Sequence, residues 1–570
     1  MSKTQSNAVE ALNPDSDLLW KAQYYEPAIA ASGERKTSFK TQSLRWDIKP
    51  VYTQRDLDEI GFDPESDLGM PGTYPYTRET KAAGYRADLW AMTQVSGFGC
   101  AEDSAKRWEY MVNQGLDSII VEYDLPTTNG YDSDNPLCRG EVGRAGMALD
   151  TLQDMEEALN FPLEKLKNLT SVCNAPQPVN LAMLIKALQR KGKKLEDIRL
   201  MMPNTILVEY TCVGRYIYPP KHGLRLACDV IEYCMKHHPN WMPLNIVGAQ
   251  IYAARGNPVQ EIAYSFAMAR AYIDELLARG HDINDVAPMV SFITGIDMDF
   301  FEAIGKLRAY RKVWARLMKE TYGATAEEAL KLRLMSSPGT MSMALQQPLS
   351  NIARLGIEML ACAIGGGAHT INTPLYDEAH ALPSEEAITI GANIHHIVAH
   401  ESGVADTIDP LAGSYYVEYM TKRLEDAVFE EMAKIEAMGG ALGAIEAGYF
   451  QSELAEEQIA MNSDFHSGER KFVGVNYLVK EDKKREIEIF RHDEAAEQRQ
   501  IERLNRVKAQ RDNDAVARVL EKVREAARGN TNMVEPMLEA VELYATHGEL
   551  CDAMRDVFGE HDPNALTPTL

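Results

Sequence analysis

The chain has 570 residues, 45% hydrophobic and 25% charged, an ordinary globular composition on a length too great for one ordinary domain. Its 59 Lys and Arg against 84 Asp and Glu leave a formal charge of −25, which excludes nucleic acid and anionic membrane as the main partner. No apolar run reaches the ~20 residues that cross a bilayer, no signal segment opens the chain, and eight scattered cysteines without a C-x-x-C pair predict a reduced cytoplasm.

In chain order, residues 1–87 read as a polar N-terminal arm and lead-in, with one amphipathic piece over 18–25 and a Pro/Gly/Asp-rich loop over 61–78. From residue 88, short apolar runs alternate with longer segments of 3.6-residue period. The strands are predicted at 91–97, 118–124, 169–175, 198–203, 244–249, 288–294, 330–336 and 367–373. Helices fall between them, among others over 101–114, 258–280 and 299–323, the last two closing on glycine. Eight strand-then-helix units predict an α/β fold, a (β/α)8 TIM barrel over 88–420, with an open doubly wound sheet as the competitor. Residues 421–570 read as a C-terminal helical region. Within it 485–529 is expected to be one long charged helix whose charges form a solvated face.

The motifs of common catalytic machinery are missing: there is no G-x-S-x-G, no Walker A and no H-E-x-x-H. His396 and His400 have a spacing that could hold a metal, but no third ligand accompanies them, so they are assigned to an outer barrel helix and no metal site is expected. A chain of this size without an acid/base constellation implies that a cofactor carries the difficult chemistry.

Several strings then stand out: DLPTTNGYDSDNP (124–136), GEVGRAGMALDTLQDM (140–155), RYIYPP (215–220), YDEAHALP (376–383), ESGVADTIDPLAGSYYVE (401–418) and AEQRQIERLNRVKAQRD (496–512). Through them the chain resembles the methylmalonyl-CoA mutase family over residues 45–560. The resemblance implies a radical rearrangement of an acyl thioester that depends on adenosylcobalamin. Family members built as one chain carry a cobalamin-binding domain with a D-x-H-x-x-G loop. No such string occurs here. The resemblance is therefore to the large subunit of a split enzyme, which shares its cobalamin with a separate small cobalamin-binding subunit. The implied assembly is a heterotetramer around a homodimer of large subunits.

Carried over position by position, the resemblance places Glu378 and Ala379 at the adenosyl ribose. It places Tyr123, Asp124, Leu125, Gly130, Tyr131 and Asp132 in the loop under the corrin. Val95 and Gln250 fall beside the reacting acyl group. This pair, a small aliphatic residue with a glutamine, resembles the 2-hydroxyisobutyryl-CoA branch. Ser171, Ser291, Arg333 and His369 fall at substrate-binding positions. Val213 stands where the family holds an arginine for a free carboxylate, which argues against malonyl- and succinyl-type substrates. Asp88, Thr93, Pro203, Met289, Met335 and Ser337 replace two arginines, a glutamine, an arginine, a histidine and a glutamine at coenzyme A positions. Three readings therefore stay open: a mutase of a carboxylate-free, branched or hydroxylated acyl-CoA; the same chemistry on a substrate without coenzyme A; and a non-catalytic structural subunit.

Overall fold

Each apolar run becomes a strand because its β-branched residues fit a pleated surface covered by helices. A computed structural model describes residues 16–480, 493 and 495–562. The strands are β1 (Ala91–Ser96), β2 (Ser118–Glu122), β3 (Asn168–Val172), β4 (Leu200–Met201), β5 (Leu244–Val247), β6 (Val290–Gly295), β7 (Leu334–Ser337) and β8 (Ala368–Asn372). They pair in parallel in the order β4-β3-β2-β1-β8-β7-β6-β5. A parallel bridge between Met201 and Met242 joins the two ends, with Met242 N donating to Leu200 O at 2.8 Å and Asn245 N to Met202 O at 3.1 Å. An open sheet would leave two free edges. This one closes into the expected barrel.

The ring outside consists of α1 (Ala101–Asn113), α2 (Leu152–Ala158), α3 (Gln177–Arg190), α4 (Pro220–His237), α5 (Pro258–Ala278), α6 (Phe300–Arg316), α7 (Ser350–Gly365) and α8 (Glu385–His400), one after each strand. Outward strand residues such as Met92, Ile119, Val121, Leu169, Ile246, Phe292 and Ile371 pack with these helices in the main core. Helix α5 begins at a capping box on Asn257 followed by Pro258. His396 and His400 do lie on α8, their rings stacked 5.9 Å apart. No group of three metal-ligating side chains occurs among the described residues.

Helix α6 is unusual in burying four cations, each with partners. Lys306 pairs with Glu261 at 2.7 Å. Arg308 pairs with Glu418 at 2.7 Å and with Asp409. Lys312 reaches Asp67 and, at 2.5 Å, Glu425. Arg311 donates to the carbonyls of Tyr76, Thr77, Gly365 and Gly366. These bonds tie the lead-in and α9 (Tyr415–Ala437) to the barrel. They also explain the glycine run before β8: a Cβ on Gly367, at φ +73°, would sit 2.6 Å from the Arg311 guanidinium.

Beyond α9 come α10 (Tyr449–Ser467), α11 (Ala496–Gln510), α12 (Asn513–Arg528), α13 (Val534–Glu542) and α14 (His547–Phe558). The expected single helix over 485–529 is two. Residues 485–492 and 494 lie outside the described residues, and the remainder breaks after Gln510. There the Asp512 side chain accepts from Ala515 N and starts a new helix. The charges of α11 form a solvated face only in part: Arg499, Glu502 and Arg506 are exposed, but other polar side chains turn inward. Gln500 is fully buried, donating to Asp150 and Asp154. Arg503 pairs with Asp154 and Glu157, and Lys508 with Asp132 and Asp134.

Helix α14 grips the loop after β2 from the other side. Thr546 Oγ1 and Gly548 N both donate to Asp132, at 2.6 Å each. His547 Nε2 meets Thr127 O at 2.9 Å. Arg555 donates to the carbonyls of Asn129 and Gly130, at 2.5 and 2.8 Å, and lies 4.3 Å over the Tyr131 ring. Gly130 is left-handed, at φ +70°, and a Cβ there would collide with Ile217 and Cys551.

Two outcomes are expected. Arg308→Met leaves Glu418 buried without its cation and Asp409 with Arg78 alone, so urea unfolding should show a loss of about 3–5 kcal/mol. Arg555→Met should leave the global unfolding midpoint nearly unchanged. It should speed amide exchange across 129–134 by about tenfold or more, as two charge-assisted bonds disappear.

The candidate active site at the barrel mouth

Strand alternation sorts the lumen into layers. Towards the N-terminal ends lie Thr93, Ser118, Asn168, Thr170, Asn245, Ser291 and Thr370. Asn245 donates to Ser291 Oγ at 2.8 Å and Asn168 to Thr370 Oγ1 at 3.4 Å. Thr93 Oγ1, Ser118 Oγ, Thr170 Oγ1 and Asn245 Oδ1 are buried without a partner. Above them Ile120, Met201, Ile293 and Met335 form a separate apolar layer, backed by Val172, Met242 and Val247. Buried hydroxyls are normally paired, so this layer of the lumen is polar with unused hydrogen-bonding capacity among the described residues.

At the C-terminal ends of β1, β2 and β8 a cleft of about 110 Å³ opens. Its walls bring together Val95, Glu122, Arg107, Asn372 and Glu378. Val95 is 41% exposed, and Leu125 and Leu137 stand exposed nearby on the loop after β2. Large apolar side chains left open around a barrel mouth suit a flat, partly apolar ligand or a partner. Glu378 and Ala379 are exposed on the rim after β8. Glu378 Oε2 reaches only Leu375 N, at 3.4 Å, so the carboxylate has capacity for another donor.

Gln250 lies on the short helix Gly248–Ala253 at the C-terminal end of β5, half-buried, its Oε1 without a partner. Val213 ends the turn Glu209–Val213 after β4. The loop residues divide by depth. Asp124 is fully buried, caps the turn Leu125–Thr128 by accepting from Thr127 N at 2.9 Å, and also accepts from Gly143 N at 2.7 Å. Burial pushes its carboxyl up to about 6 against those bonds. Tyr123 turns away from the lumen into the core, its hydroxyl 3.1 Å from Ser171 Oγ, and Ser171 in turn donates to Asn180 at 2.7 Å. These two therefore stand behind β2 and β3.

The remaining predicted substrate contacts lie elsewhere. Arg333 donates to Glu328 at the N-terminal end of β7. His369, near it on β8, is held neutral by burial, at about 3. Asp88 is also at this end and is paired with Lys167 at 3.2 Å.

One pair in the cleft has no counterpart in the sequence-based expectations: Glu122 and Arg215. Glu122 ends β2 facing the lumen, and Arg215 Nη1 donates to it at 3.4 Å. Arg215 is also 3.5 Å from the buried Glu209, whose own carboxylate accepts from Asn174 and from Arg215 N. Desolvation lifts the Glu122 carboxyl to about 7, the Arg215 charge opposing it. The signal lay in strand alternation, which puts a carboxylate at the inward C-terminal position of a barrel strand.

Comparison with known proteins gives the family. Residues 41–560 match the methylmalonyl-CoA mutase family. The chain is 35% identical over 544 residues to the 2-hydroxyisobutanoyl-CoA mutase large subunit of Aquincola tertiaricarbonis, covering 95% of this chain and 96% of that protein. It is 36% identical over 535 residues to the methylmalonyl-CoA mutase of Cereibacter sphaeroides, covering 92% of this chain and 74% of the relative. It is 34% identical over 559 residues to the mitochondrial methylmalonyl-CoA mutase of Homo sapiens, covering 96% and 73%. With a closed (β/α)8 barrel, a mouth cleft between β1, β2 and β8, and this match across nearly its whole length, the chain belongs to the methylmalonyl-CoA mutase family of isomerases.

Proposed function

We propose that this chain is the substrate-binding large subunit of a split mutase that rearranges a carboxylate-free, hydroxylated or branched acyl-CoA. The observation that carries the reading is the cleft joining Val95, Glu122 and Glu378 at the mouth of a barrel of this family. Residues 88–420 form the substrate-binding barrel, 1–87 the arm and 421–570 the helical region that supports the mouth. The relative from Aquincola is named a large subunit, and the match spans almost all of it. The partner is accordingly a small cobalamin-binding subunit, in a heterotetramer around a large-subunit homodimer, with adenosylcobalamin shared between the two kinds of chain. Eight unpaired cysteines suit a reducing cytoplasm.

The residues present fit such a cofactor: an open apolar rim at Val95, Leu125 and Leu137, and a rim carboxylate, Glu378, with acceptor capacity for ribose hydroxyls. When bound, adenosylcobalamin supplies the carbon radical that takes a hydrogen atom from the substrate. The chain's own part is positioning. The Gln250 amide N–H donates to the thioester carbonyl, Val95 sets the room beside the migrating carbon, and the apolar rim keeps water out. Val213 offers no cation, and Arg215 is committed to Glu122 and Glu209. A substrate carboxylate would therefore meet no cation at the Val213 position, whereas a hydroxyl can donate to Glu122.

In the reading without coenzyme A, Asp88, standing at a coenzyme A position in place of an arginine, would repel a phosphate. Lys167, which contacts both Asp88 and Asp117 at 3.2 Å, offsets that charge. The partnerless hydroxyls of the lower lumen suit a polar carrier arm threading the barrel. The structural-subunit reading gives no reason for an open cleft with a spare carboxylate.

Reconstitution with a small cobalamin-binding subunit and a thioester panel tests the assignment. Tight adenosylcobalamin retention in equilibrium dialysis should require both chains. If this chain alone retains it at sub-micromolar concentration, the division of labour is wrong. Val95→Phe should shift preference toward less substituted acyl chains by about 1–3 kcal/mol. Gln250→Ala should lower kcat more than it raises KM, because its bond strengthens in the transition state.

Glu122 gives a pH prediction. Below its value of about 7 the carboxyl is protonated, and above it the carboxylate accepts from a substrate hydroxyl. The kcat/KM for a hydroxyacyl substrate should therefore rise through neutral pH. Glu122→Gln should abolish that rise and cost about tenfold or more at pH 8. An unchanged profile in the variant would remove Glu122 from the site.

A further inference from the structure

A second cavity, of about 580 Å³, lies outside the mouth cleft. It is bounded by the loops after β6 and β7 (Asp297, Met298, Met341, Ser342), the first half of α7, the end of α10 and the segment 470–475. Its size is that of a small-molecule site. The walls are mainly apolar, with Met298, Met341, Met461, Ile357, Phe465 and Phe472 among them. Methionine-rich walls adapt to varied apolar bodies.

Its charges are one-sided. Arg255, Arg354, Arg470 and Lys471 line it, against a single lining carboxylate, Asp297, which Arg470 already takes at 2.6 Å. Arg354 is 7% exposed, stacked 4.5 Å over Phe472, and its described bonds go to Asn351 and to the Val473 carbonyl, neither of them an anion. Behind it Glu358 is fully buried, accepts from Gly339 N, and is pushed well above the usual carboxylate range by burial and by Asp297.

Arg255 is odder still. Its guanidinium is 3.3 Å from Met341 Sδ and 3.8 Å from Met461 Sδ, both weak acceptors. Its backbone is left-handed, at φ +78°, a conformation that favours glycine or asparagine. An arginine held in strained backbone and aimed at thioethers on a cavity wall contributes little to folding. Arg470 Nη1, buried on the same wall, also has no hydrogen-bond partner among the described residues. Buried guanidinium groups ordinarily meet carboxylates or phosphates. Here the cavity itself is where that anion would sit.

We propose that this cavity is a second binding site, for a small molecule carrying an oxyanion on an apolar body. The headgroup lies between Arg255 and Arg354, and the apolar part lies among Met298, Met341, Met461 and Phe465.

The test uses the full-length chain with 13C-methyl methionine and octanoate as probe, with octyl phosphate and octyltrimethylammonium in parallel. Octanoate or octyl phosphate should shift the Met298, Met341 and Met461 signals saturably, and the tighter of the two identifies the headgroup as carboxylate or phosphate. The cation should not shift them. Arg255→Gly removes the charge and the backbone strain together. It should melt no lower than wild type yet bind the better anion at least about tenfold more weakly. The proposal falls if neither anion shifts these methyls, if the alkyl cation binds as well, or if Arg255→Gly binds the anions like wild type.

Discussion

The loop after β2 cannot hold its shape by itself, and Asp132 is the point at which the rest of the chain holds it. Seven per cent exposed, this carboxylate accepts from Thr546, Gly548 and Lys508 at once. Burying it costs several kcal/mol unless such partners are supplied. All of them come from helices more than 370 residues later in the chain. The GYDSD segment is therefore a mould, and α11 and α14 are what it is cast against. Arg555 extends the grip to two carbonyls next to Gly130, a position whose left-handed backbone leaves those carbonyls turned outward. The barrel rim beside β2 is thus made by the C-terminal region as much as by the barrel.

A second set of buried charges does the same work on the opposite flank. Helix α6 carries Lys306, Arg308, Arg311 and Lys312 into the interior, where residues 67, 76–77, 409, 418 and 425 meet them. Hydrophobic contacts alone would let the lead-in and α9 slide over the barrel, because apolar packing specifies position weakly. Ion pairs with fixed geometry do not slide. The net effect on stability is modest, since desolvation offsets much of the attraction. The gain is in register.

These two sets of contacts explain which parts of the molecule were legible in the sequence. Strand alternation and helix period are local, and every predicted strand overlaps an observed one. The break at Arg511–Asp512 was missed because the composition on both sides is uniformly helix-forming. Only the capping geometry of Asp512 marks it. Gln500 and Arg503 read as solvent-facing because their partners, Asp150, Asp154 and Glu157, are some 350 residues away in sequence. The mouth residues Val95, Leu125, Gln250 and Glu378 could be named only through family resemblance, since a valine or a glutamine has no chemical signature. Neither Glu122 nor Arg215 was given a role by that resemblance, although Arg215 opens the RYIYPP string, yet alternation alone pointed Glu122 into the lumen. What local pattern cannot supply is the pairing of distant charges, and both the rim and the cleft are built from such pairs.

The lumen shows what the fold gives up for its site. A barrel interior optimised for stability would be filled by branched aliphatic side chains in every layer. Here only one layer, Ile120, Met201, Ile293 and Met335, is of that kind. Below it at least four buried polar atoms lack partners, each an unfavourable term of about 1–3 kcal/mol if left dry. Above it a carboxylate is held near neutrality beside an arginine. Such losses persist in a native protein where the empty capacity is used by something that binds. They are tolerated because the outer core, from Met92 to Phe292, supplies stability away from the axis, while the charge clamps of α6 and α14 fix register. The frame is held from the outside, and the axis is left to polar side chains.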